Sequence, residues 1–229
     1  IMLTHRNHQV AAYYTIDINP SIELGVSSKD IVVSVTGKNH DGTLLLQNMS
    51  LINLPIEKAI YMIAEKAYCS GYIKDSEDND ILLAQIPVRS TYMTGERDGK
   101  SQKIVQVTRD LLNQFSIKGN IHSLVLTSDV RKEAEKKGVS AGKFAILLVA
   151  EEKGMNITDE DIQSIEIRKI VSKAGMDYYK IVEEAEKVKD FAKLLDDKDK
   201  KDEKITENGR DKKKQNGSPY DDRLGDVNE

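Results

Sequence analysis

The chain has 229 residues, 34 Lys+Arg against 38 Asp+Glu for a formal charge of −4, and 39% hydrophobic residues, enough for one or two domains with a buried core. This slightly acidic balance, with 5% aromatic residues and no Trp, leaves no basic stripe for duplex DNA, so nucleic acid is not an expected partner. The lone Cys69 excludes an intramolecular disulfide or a Cys-cluster zinc site, and no apolar run approaches the roughly 18 residues of a membrane span.

In chain order, Ile1 to Gln9 turns polar after three residues and lacks the ordered regions of a secretory signal; an opening Ile suggests a piece of a longer protein. Val10–Ile18, Ser21–Val26 and Ile31–Val35 are β-rich runs that predict three successive strands, followed by a turn at Asn39-His40-Asp41-Gly42. Pro55 starts a helix whose apolar positions Ile56, Ala59, Ile60, Ile63, Ala64, Ala67 and Tyr68 recur until Gly71, with Cys69 expected as inert packing. Ile81–Val88 predicts a strand with Pro87 at an edge or end, Lys100–Phe115 a helix, and Ile121–Leu126 another strand. Ser128-Asp129 is expected to cap a short helix stopping at Gly138, Ser140 to cap Ala141–Lys153, and Thr158-Asp159-Glu160-Asp161 to open a helix reaching Lys173. An amphipathic helix follows from about Asp177 to Leu195. From Asp196 to Glu229 the 9 basic and 11 acidic residues surround few apolar ones, which predicts a disordered charged tail. The expected fold class is mixed α/β (α+β): a small β-sheet with flanking helices, then a C-terminal helix and the tail.

Conventional catalytic signatures are scarce, and no cofactor is expected. Gly138-Val139-Ser140-Ala141-Gly142-Lys143 falls short of a phosphate loop by one residue between the glycines and has Phe144 where Ser or Thr is needed, so it reads as a helix cap. His5, His8, His40 and His122 are scattered, and no physiological metal site is expected. Glu151-Glu152 and Asp159-Glu160-Asp161 read as solvated helix positions.

Asn19-Pro20 is the unusual pair. Its bland reading is a turn in which Pro20 fixes φ between two strands. Its chemical reading follows from the missing N–H of proline, which blocks the ordinary attack of the next amide on the Asn side chain. The remaining cyclisation has the Asn19 side-chain nitrogen attack the Asn19 main-chain carbonyl, expel Pro20 and cut the backbone. An amide is a poor nucleophile, so the fold must supply held geometry, strain and a proton carrier. Strand alternation would put Asp17 on the Asn19 face, making Asp17 the first candidate to orient the amide or move its proton, and Ser21 the weaker one. A turn-capping role for Asp17 stays open.

The stretch Asp17-Ile18-Asn19-Pro20-Ser21-Ile22-Glu23-Leu24-Gly25, the strand at Ile31–Val35 with Asn39 to Gly42, the helix from Leu54 to Tyr72, and Gly138 to Lys143 together resemble the extracytoplasmic domain of RsgI-type anti-sigma-I factors. The resemblance covers Tyr13 to Lys173. It implies residues 1–9 as a juxtamembrane segment and 10–175 as the outer α/β domain, ahead of the amphipathic helix (176–195) and charged tail (196–229) that periodicity and composition predict. It implies single-turnover self-cleavage at Asn19-Pro20, with the N-terminal fragment remaining bound, on the extracytoplasmic face of a bacterial membrane. An upstream segment would hold a sigma-I factor, an upstream helix would anchor the chain, and an intramembrane protease would act later. The competing expectation is a non-catalytic scaffold or adhesion domain in which Asn19-Pro20 is only a turn.

Overall fold

The β-branched runs near the start of the chain pair as a meander, in a computed structural model that describes residues 9–74, 79–88, 97–156, 158, 167–173 and 175–200. Strands β1 (Ala12–Asp17), β2 (Ser21–Val26) and β3 (Val32–Gly37) are antiparallel neighbours. After α1 (His40–Leu45) and α2 (Ile56–Cys69), β4 (Asn79–Pro87) joins the free side of β1, again antiparallel. Strand β5 (Gly119–Val125) lies parallel to β4, and α3 (Arg97–Gln114) provides the crossover that a parallel pair requires. The sheet order is β3-β2-β1-β4-β5, a mixed α/β architecture in which the first strand is the middle one.

Strand periodicity then sorts the side chains into two layers. Ala12, Tyr14 and Ile16 of β1 enter one core with Ile22, Leu24 and Val26 of β2, covered by Ala59, Ile60 and Ile63 of α2 and Ile104 and Leu112 of α3. On the opposite face Leu82, Ala84 and Ile86 of β4 pack under α4 (Ser128–Lys136), α5 (Ala141–Glu152), α6 (Ile167–Lys173) and α7 (Tyr178–Lys187). Helix α5 is buried at every position from Ala141 to Ala150, as expected of a helix apolar on nearly all sides. The part of this second face made by β1 and β2 is polar: Thr15, Asp17, Ser21 and Glu23 are all buried there.

Several local expectations change. Asn39 to Gly42 is the start of α1 rather than a turn, because the Asn39 side chain caps it by accepting the Gly42 N–H. Thr127, one residue before the expected Ser128, caps α4. Cys69 is exposed, not packed, since it falls off the apolar stripe of α2 at its last residue. Pro87 marks the end of an interior strand. The helix expected over 177–195 breaks after Lys187, where Val188 is extended and Asp190 Oδ1 accepts from the N–H groups of Ala192 and Lys193, opening a new helix at 191–200. That helix carries order past Leu195, with Lys198 paired to Glu151. The expected helix start at 159–161 and the tail from 201 lie outside the described residues.

Candidate functional site

Asp17 and Ser21 face each other across the last rung of β1 and β2, and residues 18–20 connect them. The Ile18 N–H donates to the Pro20 carbonyl at 2.9 Å, closing a tight hairpin. Asn19 has φ of +60°, in the left-handed region. Asn tolerates that region better than most residues, but the proline ring presses the preceding residue toward extended backbone, so the two demands conflict at Asn19. Such a conformation stores on the order of 1–3 kcal/mol. Because β1 ends at Asp17, strand alternation does not reach Asn19; the turn, not the pleat, directs its side chain. Pro20 is buried, Asn19 and Ile18 half-buried.

The chain just beyond Pro20 is pinned from the other direction. Asn39 Oδ1 accepts from the Ser21 N–H at 3.0 Å while also accepting from Gly42 N–H at 2.7 Å, and the Lys38 N–H donates to the Ser21 carbonyl at 2.8 Å. A Cβ on Gly42 would lie 2.1 Å from that carbonyl oxygen, so only glycine lets α1 come this close. Asn39 and Gly42 are therefore site residues that their reading as a turn had concealed. The available signal was a capping residue three positions before a glycine.

Asp17 occupies the centre. It is 6% exposed, and neither carboxylate oxygen completes a hydrogen bond; Thr15 Oγ1, Ser21 Oγ, Asn19 Oδ1 and Asn39 Nδ2 are likewise buried and unpaired. Above them lies the first turn of α5, whose Ser140 Oγ accepts the Lys143 N–H at 3.2 Å. A Cβ on Gly142 would stand 2.7 Å from Asp17 Oδ2 and 3.1 Å from Thr15 Oγ1. Thus the segment resembling a phosphate loop is a capped helix start, and what its first turn faces is the carboxyl group of Asp17. Burial pushes Asp17 above the ordinary carboxylate range. The charge of Lys143 opposes this most, followed by the nearby hydroxyls of Ser21, Ser140 and Thr15. Tyr178 of α7 is pushed upward too, first by burial and then by Asp80 and Asp17.

Next along the same polar face, Glu23 is bound by Arg131 of α4 through both oxygens, at 2.9 Å from Nε and 2.7 Å from Nη2. The same guanidinium stacks 3.7 Å above the ring of Tyr13 on β1. One arginine from the far half of the chain thereby engages both strands that flank Asn19-Pro20.

The other candidates are not brought together. His40 is the exposed first residue of α1, His122 on β5 faces Glu186 with Nδ1 and Oε1 3.4 Å apart, and His5 and His8 lie outside the described residues. Among the described residues no group of three His, Cys, Asp or Glu side chains could hold a metal, and no helix is long and apolar enough to cross a membrane.

Known proteins resemble the chain over this same architecture. The family described as the anti-sigma factor RsgI-like central domain matches residues 11–149, from the start of β1 into α5. Anti-sigma-I factor RsgI9 of Acetivibrio thermocellus is 25% identical over 174 residues, which are 76% of this chain and 25% of that protein. Anti-sigma-I factor RsgI4 of the same organism is 28% identical over 160 residues, 70% of this chain and 30% of the relative. Anti-sigma-I factor RsgI of Bacillus subtilis is 26% identical over 139 residues, 60% of this chain and 35% of that protein. The chain spans only a quarter to about a third of these relatives. Since the family match takes in the Asn19-Pro20 hairpin, the pinning α1 and the start of α5 alike, the chain belongs to the RsgI-like central-domain family of anti-sigma factors.

Proposed function

We propose that this chain is the self-cleaving, signal-relaying outer domain of a membrane-bound anti-sigma-I factor, with the bond broken at Asn19-Pro20. The observation that carries the reading is the strained Asn19, φ +60° before a proline, set between the buried and unpaired Asp17 and a Ser21 backbone held on both sides.

The reaction needs no water and no added reagent. Asn19 Nδ2 attacks the Asn19 carbonyl carbon, forming the new C–N bond of a succinimide while the bond to Pro20 breaks. One proton leaves Nδ2 and one arrives at the Pro20 nitrogen, so the balance is a proton relay. Asp17, shifted toward its neutral form by burial, gives its proton to the departing proline nitrogen and recovers one from the side-chain amide. The left-handed backbone is relieved when the bond opens, which lowers the barrier by raising the starting state.

What keeps the cut domain together is the position of β1. It is paired through six residues to β2 and six to β4, and it buries Tyr14 and Ile16, each worth roughly 1.5–3 kcal/mol. The covalent tether thus becomes a non-covalent one. Residues upstream of β1 would lead to the membrane anchor and sigma-binding segment, and loss of the outer fragment would expose a short stub to an intramembrane protease.

Denaturing electrophoresis and mass spectrometry of the folded chain test this. Two fragments are expected, the larger beginning at Pro20 and the smaller ending in the Asn19 succinimide or its hydrolysis product. A single intact chain after prolonged incubation of folded protein favours the scaffold reading, in which the Ile18–Pro20 hydrogen bond closes an ordinary hairpin.

A further inference from the structure

We propose that the first turn of α5 is the element that makes Asp17 competent, so that Asn19-Pro20 breaks only after the chain as far as about residue 150 has folded onto the hairpin. The inference rests on the cleavage reading and adds to it a control of timing.

Three observations place the control in α5. First, the helix backbone lies directly on the carboxyl group: the Cβ missing at Gly142 would be 2.7 Å from Asp17 Oδ2, 3.1 Å from Thr15 Oγ1 and 3.2 Å from Leu82 Cδ2. Glycine is needed here for space, not for a left-handed backbone. Second, the turn that covers the 94% buried Asp17 is held by its own cap, Ser140 Oγ accepting the Lys143 N–H at 3.2 Å, and it leaves both Asp17 oxygens shut from water with no hydrogen bond of their own. Third, the helix cannot dock by degrees. Ten consecutive residues, Ala141 to Ala150, are buried together against the sheet and α4, so contact with Asp17 arrives with closure of that whole core.

Before docking, the polar face carrying Thr15, Asp17, Ser21 and Glu23 is open to water, and Asp17 is an ordinary hydrated carboxylate. Docking strips that water and brings Lys143, a 9% exposed lysine, to bear on it. The charged group acting on Asp17 is then Lys143 from α5, Asp17 in turn bears on Tyr178 of α7, and Glu23 on β2 is held by Arg131 of α4. Gly142, Ser140 and Lys143 are positioning residues that act through Asp17. A bond near the start of the chain is thereby made to wait for a helix some 120 residues later, and the strand is severed only when its neighbours can hold it.

The full chain tests the order of events. Protein kept uncut in denaturant is diluted to refold, and pulse hydrogen exchange read by mass spectrometry follows amides 141–150 alongside fragment formation. Fragments are expected only after those amides are protected; fragments formed earlier overturn the proposal. Gly142→Val should slow cutting at least about 10²-fold, the range of an acid–base contribution, while Lys143→Met should move the pH profile of cutting and Lys143→Arg should restore it. To separate this idea from the cleavage reading, Asp17 is titrated by carbon NMR in the uncut Asn19→Ala background. There Gly142→Val should return Asp17 toward the ordinary carboxylate range. An unchanged titration overturns the coupling of α5 to Asp17 whether or not the parent chain cuts; an uncut parent with a shifted titration sinks only the cleavage reading.

Discussion

Asn19 supplies both the nucleophile and the carbonyl of the proposed reaction, so Asn19→Ala should leave one uncut chain on a denaturing gel with its fold retained; unchanged fragments would indict a contaminating protease. Asp17 lends itself to a sharper test, because its effects on stability and on cutting depend on pH. Its pKa is raised in the folded state, so the stability tied to its neutral form is complete below the unfolded value of about 3.9 and is lost as pH rises through the folded value. Asp17→Asn removes that loss. Its melting temperature should exceed that of the parent at pH 8, with the gap closing toward pH 4, by roughly 2–4 °C for each kcal/mol recovered. Cutting should respond oppositely: Asp17→Ala slows it far more than Ser21→Ala, and in the parent it falls as pH rises through the folded pKa. Equal slowing by the two alanines would remove Asp17 from the proton relay.

Helix α1 and helix α4 each hold one side of the hairpin, and each can be loosened separately. Asn39→Ala removes a cap and the anchor of the Ser21 N–H, costing about 1 kcal/mol of stability and slowing cutting. Arg131→Met leaves Glu23 buried without its partner, a loss of about 3–5 kcal/mol that should weaken retention of the Tyr13-bearing fragment in dilution assays. Restoring polarity balance with Glu23→Gln in the same chain should recover part of it. These elements also mark how far the sequence could be read. Strands β1 and β2 and helix α2 were legible because their apolar residues recur at one period, and Asn19-Pro20 was legible because proline lacks an N–H. What was hidden is long-range: that Gly142 meets Asp17 across 125 positions, or that Arg131 reaches Glu23 across 108, leaves no mark in local spacing. The break after Lys187 was hidden for a different reason, since Phe191 and Leu195 continue the apolar spacing of α7 while Asp190 caps a separate helix.

At the scale of the molecule, the first strand lies in the middle of the sheet, where a hairpin meander alone would have left it at an edge. The later arrival of β4 on its open side encloses it. On the proposed cleavage, the two fragments should therefore co-elute in gel filtration under native conditions and separate in denaturant; spontaneous parting in native buffer would remove the tether on which the relay depends. Alanine changes at charged residues beyond 200 should leave co-elution unaltered, because both cores are closed by residues of the described chain up to Leu195 and that stretch of sequence offers few apolar side chains.

The central place of β1 would also give the proposed cleavage and release a direction. While residues 1–229 are one chain, a strand that slips out remains beside its slot at high effective concentration and returns. Once severed and withdrawn, it must find the slot again by diffusion, at the dilution of a separate molecule. Meanwhile β2 and β4 face each other as two newly bare edges, able to close together or to pair with foreign strands. Withdrawal of β1 would thus act as a fuse: each molecule reports once, and the setting that matters is the lifetime of a six-residue strand in its slot.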